Sequence, residues 1–130
     1  MVIDTSALLA ILLSEADGEA LLRAVAADAT RLMSAGNVLE AGIVLQARKG
    51  DAGSQALDLM VAKLGIEVVA LTPRHADLAR RAFRLFGKEQ GKAGLNYSDC
   101  IAYALARDSG EPLLFKGDDF AQTDIVAAIW

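Results

Sequence analysis

A chain of 130 residues suits one domain, 1–130, with a proper core, and its single cysteine, Cys100, excludes an internal disulfide and a cysteine-based zinc site. Hydrophobic residues make up 54% and the mean hydropathy is +0.34, so an oligomer with a covered surface is expected, although the longest apolar run, the seven residues Ala7 to Leu13, is far short of the about 20 that cross a bilayer. The formal charge of −4 argues against a uniformly basic nucleic-acid binder, and a start of Met-Val-Ile-Asp, with no basic and apolar leader, leads us to expect a cytoplasmic protein.

Val2 and Ile3 open a short strand, Asp4-Thr5-Ser6 leads into a helix, and a second helix is expected from Asp17 to Ala27. Leu32-Met33 forms a second strand. Asn37 to Lys49 and Asp51 to Leu64 are two helices separated by Gly50, and Glu67 to Leu71 is a third strand. Thr72-Pro73 supplies a cap and a first-position proline for a helix to Phe86. The segment Gly87 to Gly94 is a loop by composition, Asn96 to Ser109 a helix, Pro112 to Phe115 a fourth strand, and Asp124 to Trp130 an edge strand or a short helix. Strands that alternate with helices and are too apolar to be half exposed predict an α/β fold. Its central parallel sheet has four to five short strands flanked by helices on both faces.

Charge is unevenly distributed. From Arg74 to Lys92 six basic residues stand against two acidic ones, a local balance of +4 that leaves −8 for the rest. Arg74, Arg81 and Lys88 recur every seven residues and share a helix face, which suits either phosphate tracking or plain solvation. His75 starts this helix beside Arg74 and reads as a surface residue; alone, it supports neither paired-histidine RNA cleavage nor a serine triad. Tyr97 and Tyr103 are candidates for stacking on a base, Tyr103 being the better core residue.

Of the 17 acidic residues, the informative ones have apolar neighbours at structural spacing. Asp4 ends the first strand, and Asp118 and Asp119 follow the fourth, at the sheet edge where α/β folds bind ligands. Glu40 shares a face with Ile43, Val44 and Ala47, and Asp99 with Ala102, Tyr103 and Ala106, which turns both toward the core. Capping is an alternative role for each: Asn37-x-x-Glu40 and Asn96-x-x-Asp99 have the form of capping boxes, and Asp4 precedes a helix. Gathered together, these carboxylates repel one another unless a divalent cation joins them, and oxygen-only ligands favour Mg²⁺, with Mn²⁺ as a substitute, over zinc. Such ions suit phosphodiester hydrolysis with one metal or two.

The chain resembles PIN-domain ribonucleases, in particular the VapC-type toxins of bacterial toxin–antitoxin (VapBC) pairs. The likeness is carried by Met1-Val-Ile-Asp4-Thr5-Ser6-Ala7, Leu39-Glu40-Ala41, Leu95-Asn-Tyr-Ser-Asp99-Cys-Ile-Ala102 and Leu114-Phe-Lys-Gly-Asp-Asp-Phe120, in that order. The resemblance implies a Mg²⁺-dependent endoribonuclease that cleaves tRNA or another structured RNA and arrests translation. It implies Asp4 and Asp99 as principal metal ligands, Glu40 completing the site, and Thr5 or Ser6 assisting. Many members carry a fourth acid where this chain has Gly117, so that role falls to Asp119, with Asp118 as the alternate. Implied partners are an antitoxin wrapped around the toxin and a second copy of the chain, within a larger toxin–antitoxin assembly. A non-catalytic PIN-like binding module is a second reading. A receiver-type phosphoacceptor domain is a third, though it needs an acidic pair near the first strand, where Asp4 stands alone.

Overall fold

A computed structural model describes residues 1–88 and 93–130. Ten elements follow one another: β1 (Val2–Ile3), α1 (Thr5–Leu12), α2 (Gly18–Ala27), β2 (Leu32–Ser34), α3 (Ala35–Lys49), α4 (Asp51–Lys63), β3 (Glu67–Val69), α5 (Pro73–Phe86), α6 (Tyr97–Ser109) and β4 (Leu113–Leu114). The four strands pair in parallel in the order β3-β2-β1-β4. The expected α/β fold with helices on both faces is therefore observed. The two-residue period of the strands divides the interior between those faces. Ile3, Met33 and Leu114 join Leu8, Leu21, Leu45 and Leu57 in a cluster under α1 to α4. Val2 and Leu113 join Leu95, Leu105 and Tyr103 in a second cluster under α5 and α6. Among the described residues no helix is long and apolar enough to cross a membrane.

Helix starts follow local chemistry. Thr72 Oγ1 accepts from the His75 amide at 3.1 Å ahead of Pro73, and Asn96 forms a full capping box with Asp99. Helix α3 departs from expectation: it begins at Ala35, capped by Ser34, whose Oγ accepts from the Gly36 amide at 3.3 Å. Asn37 therefore sits inside the first turn and caps nothing. The third strand stops at Val69, and its Glu67 and Val68 are exposed, contrary to the expectation of strands covered on both sides; β3 is an edge strand with only β2 beside it. The C-terminal segment adds one parallel bridge, Leu113 with Ala127, in which the Leu113 amide donates to the Val126 carbonyl and the Ala128 amide to that of Leu113, both at 2.8 Å. It is neither a full strand nor a helix.

His75 is not the surface residue the sequence suggests, being only 3% exposed. Its Nε2 lies 3.0 Å from Asp108 Oδ2, and the Arg74 guanidinium pairs with the same carboxylate, so the start of α5 is braced against the end of α6. That pairing also removes Arg74 from the free basic row expected with Arg81 and Lys88. Glu89 and Lys92 of the basic segment lie outside the described residues.

Candidate active site

Parallel pairing puts the carboxyl ends of β1, β2 and β4 at one edge of the sheet, where α1 and α3 begin. Asp4 is the first residue beyond β1. Its backbone amide donates to the Leu114 carbonyl at 2.9 Å, and its Oδ2 accepts from the Ser6 amide at 2.9 Å and from Ser6 Oγ at 2.5 Å. Ser6 Oγ also accepts from the Lys116 amide at 3.0 Å, which ties the segment after β4 to the same corner. Asp4 is thus a cap in the ordinary sense, but only through one oxygen. Oδ1 is buried with no hydrogen-bond partner among the described residues.

Asp99 shows the same division of labour. As the third helical residue of α6 it accepts the Asn96 amide at Oδ2, 2.7 Å away, and closes the capping box while remaining 8% exposed. Glu40 projects from α3 and accepts a hydrogen bond from Ser98 Oγ at Oε2. Its sequence rationale fails, because Ile43 and Ala47 are exposed and the buried stripe of α3 is Asn37, Ala41 and Leu45. Glu40 borders that stripe rather than lying on it, and a half-buried position is what a carboxylate facing a polar site needs.

The electrostatics link these groups. Burial is the main force raising the Asp99 carboxyl to about 6, the Asn96 amide opposes it, and the negative charges of Asp4, Asp119 and Glu40 add to the rise. Asp4 is likewise pushed above its ordinary value, chiefly by burial, against the lowering hydrogen bonds from Ser6 and the Thr5 amide and with a small contribution from Glu40. Asp4, Glu40, Asp99 and Asp119 therefore share one field. Asp119 belongs to it through its effect on Asp99, and its Oδ1 lies 3.0 Å from where a side chain on Gly94 would begin. Asp118 and Asp119 are both exposed, and what separates them is that only Asp119 is among the leading influences on Asp99. Gly117 has φ +102°, a backbone conformation that disfavours other residues and turns the chain between β4 and this acidic pair.

Among the described residues no three acidic, histidine or cysteine side chains are set closely enough to hold an ion unaided. The donor set still fits a hard cation. Mg²⁺ commonly takes one or two carboxylates and keeps several waters, so it does not need a closed protein shell. Asp4 Oδ1 is the feature that fits best: a buried carboxylate oxygen without a donor is costly, and a cation satisfies it.

Asn37, which the sequence suggests only as a helix cap, lies beside these carboxylates instead. Asn37 is fully buried, and its Nδ2 lies 3.2 Å from Thr5 Oγ1, 3.1 Å from the Ser98 carbonyl and 3.0 Å from Ser98 Oγ. It connects α1, α3 and α6 at the positions next to Asp4 and Asp99. The available signal was its place on the Asn37, Ala41, Leu45 stripe, since a polar residue there must find partners inside. Beside the site, between α5 and α6, a groove of about 610 Å³ is floored by Ala76, Ala79, Phe83 and Ile101 and edged by Arg80, Arg84 and Tyr97. Tyr97 is 78% exposed, whereas Tyr103 is core, its hydroxyl donating to Asp124 Oδ1 at 2.6 Å.

Comparison with known proteins agrees with this architecture. The PIN domain family matches residues 1–126. The chain is 51% identical to ribonuclease VapC30 of Mycobacterium tuberculosis over 125 residues, covering 96% of this chain and 95% of that protein. It is also 51% identical to ribonuclease VapC of Mycolicibacterium smegmatis over 127 residues, covering 98% of each. Among solved structures, M. tuberculosis VapC20, a sarcin-ricin loop cleaving toxin, superposes with a TM-score of 0.75 at 20% identity, covering 96% of this chain and 95% of that one. VapBC2 of Rickettsia felis, bound to a DNA fragment from its promoter, superposes with a TM-score of 0.75 at 14% identity, covering 99% and 97%.

Proposed function

Since the chain belongs to the PIN-domain family, among its VapC ribonuclease toxins, we propose that Asp4, Glu40, Asp99 and Asp119 form a Mg²⁺-dependent site that hydrolyses phosphodiesters of a structured RNA, tRNA or a ribosomal RNA loop. The observation that carries this reading is the buried Asp4 Oδ1, without a partner among the described residues, beside an Asp99 that feels the charges of Asp4, Glu40 and Asp119. When bound, the cation supplies Lewis-acid polarisation of the phosphate and a nucleophilic water at neutral pH. Asp4 and Asp99 are the principal ligands, with Glu40 and Asp119 completing the site.

The chain's own groups prepare it for that role. Ser6 and the Asn96 amide each hold one oxygen of Asp4 and Asp99, so both carboxylates are fixed before any ligand arrives. Burial of Asp4 and Asp99 keeps bulk water from screening these two carboxylates, which strengthens their attraction for a cation. Arg84 and the exposed Tyr97 flank the site, suited to a phosphate and to a nucleobase respectively.

The reading includes a protein antitoxin and a second copy of the chain as partners and the cytoplasm as the place of action. Large apolar side chains left at the surface of α3, α4 and α5, including Leu39, Ile43, Leu59, Phe83 and Leu85, support partners that cover them. The test is a panel of purified RNAs, tRNA and ribosomal RNA, incubated with the chain in Mg²⁺ and probed for discrete fragments. Cleavage at one site in one RNA class is expected. Intact RNA with a folded, antitoxin-free chain would contradict the reading and favour a binding module without activity.

A further inference from the structure

The orientation of the Asn37 amide is fixed by its surroundings. One of its neighbours, the Ser98 carbonyl at 3.1 Å, can only accept, so the nitrogen must face it, and Oδ1 is left buried with no partner among the described residues. The same nitrogen lies 3.0 Å from Ser98 Oγ and 3.2 Å from Thr5 Oγ1, so its two protons are shared among these two hydroxyls and the Ser98 carbonyl. A hydroxyl that accepts from Asn37 must send its own proton elsewhere. Ser98 Oγ sends it to Glu40 Oε2, and Thr5 Oγ1 sends it to the Asn37 carbonyl at 3.4 Å. The result is a directed chain, Asn37 to Ser98 to Glu40, that crosses from α3 to α6 and back. A fully buried amide with an unsatisfied oxygen is an expensive way to join two helices when an apolar residue would pack there. Orientation of the hydroxyl is what an apolar residue cannot supply.

We propose that Asn37 is a positioning residue of the carboxylate site: by donating to Ser98 Oγ it commits the Ser98 hydroxyl to Glu40 and so fixes the Glu40 carboxylate for cation binding. This rests on the reading of the four acids as a metal site. Asn37 touches neither substrate nor metal and acts only through Ser98.

The test is a double-mutant cycle read by Mn²⁺ binding to the purified chain in calorimetry, with thermal unfolding as a check of the fold. Outer hydrogen-bond partners of metal ligands typically govern about 10–100-fold in affinity, so Asn37→Ala is expected to weaken Mn²⁺ binding at least about tenfold. In a Glu40→Gln background the same substitution is expected to have almost no further effect, because there is no carboxylate left to position. Ser98→Ala, which leaves the buried amide in place, should reproduce the loss, and Ser98→Thr, which keeps the hydroxyl, should restore it. The Ser98 variants carry the test if Asn37→Ala does not fold. An equal loss of affinity in both backgrounds, or no loss in either, overturns the proposal while leaving the metal-site reading intact. Unchanged Mn²⁺ affinity in Glu40→Gln alone overturns the proposal and removes Glu40 from the site, whereas unchanged affinity in Asp4→Asn overturns the metal-site reading itself.

Discussion

Below about pH 6 a proton competes for the Asp99 carboxyl, which burial and the neighbouring acids have raised to that value. Because the folded protein holds this proton more tightly than the unfolded chain, the contribution to stability is fully present below the ordinary carboxylate range and is lost as pH rises from about 4 through about 6. Two outcomes are expected. In chelator, the unfolding temperature of the wild-type chain should fall between pH 5 and pH 7, and Asp99→Asn should flatten that fall and be the more stable of the two at pH 7. With Mg²⁺ present the order should reverse, since the cation stabilises only the carboxylate form. A pH-independent difference between the two proteins would show that Asp99 is not strained by its neighbours. At this scale Asp4 and Asp99 were legible because strand ends and helix starts are local features. Capping leaves one oxygen of each free for the proposed site, since Asp4 and Asp99 each use only Oδ2 for the helix. Glu40 was found for a reason that does not hold, and Asn37 was mistaken for a cap because Ser34, three residues earlier, is the group that meets the helix start.

Helices were readable where their ends announce themselves. Thr72-Pro73 and Asn96-x-x-Asp99 mark the starts of α5 and α6, and replacing Thr72 with Ala should cost about 1 kcal/mol of unfolding free energy in a denaturant titration. The turn after β4 is equally local. Gly117→Ala meets no atom within 4 Å but must hold φ +102°, so about 1–2 kcal/mol of strain is expected, together with reduced cleavage because Asp119 lies just beyond the turn. Unaltered stability and activity would show that the turn can relax without moving the acid. What could not be read were pairings across long separations. His75 seemed exposed because its partner Asp108 lies 33 residues later, and β3 seemed covered because its apolar run says nothing about whether a second neighbour exists. Asp108→Ala should lower the unfolding midpoint more than Arg74→Ala, since only the former strips the buried imidazole of its side-chain partner among the described residues. Equal effects would assign the brace to the exposed ion pair instead.

Charge and apolar surface act over the whole molecule. A net charge of −4 is ill suited to RNA, yet Asp4, Glu40, Asp99 and Asp119 lie toward the sheet edge while exposed Arg80, Arg81, Arg84 and Lys88 line α5 and its end. Separation of the two signs lets a cation neutralise one region while the other meets phosphates. If Arg84 contacts a phosphate, Arg84→Glu should weaken binding of uncleavable RNA and reduce the slope of log affinity against log salt by about 1; an unchanged slope would remove Arg84 from the interface. The overall architecture was legible because alternation of short apolar strands with capped helices leaves few topologies. Asp4 is the residue on which the proposed metal-dependent ribonuclease site depends most. Its role is tested most directly by incubating total cellular RNA with the purified chain and with its Asp4→Asn variant, each in Mg²⁺ and in chelator. Discrete fragments that require both Mg²⁺ and Asp4 are expected, with activity falling at least about 100-fold when either is removed. Fragments that persist in chelator, or that Asp4→Asn produces as readily as the wild type, would contradict the account.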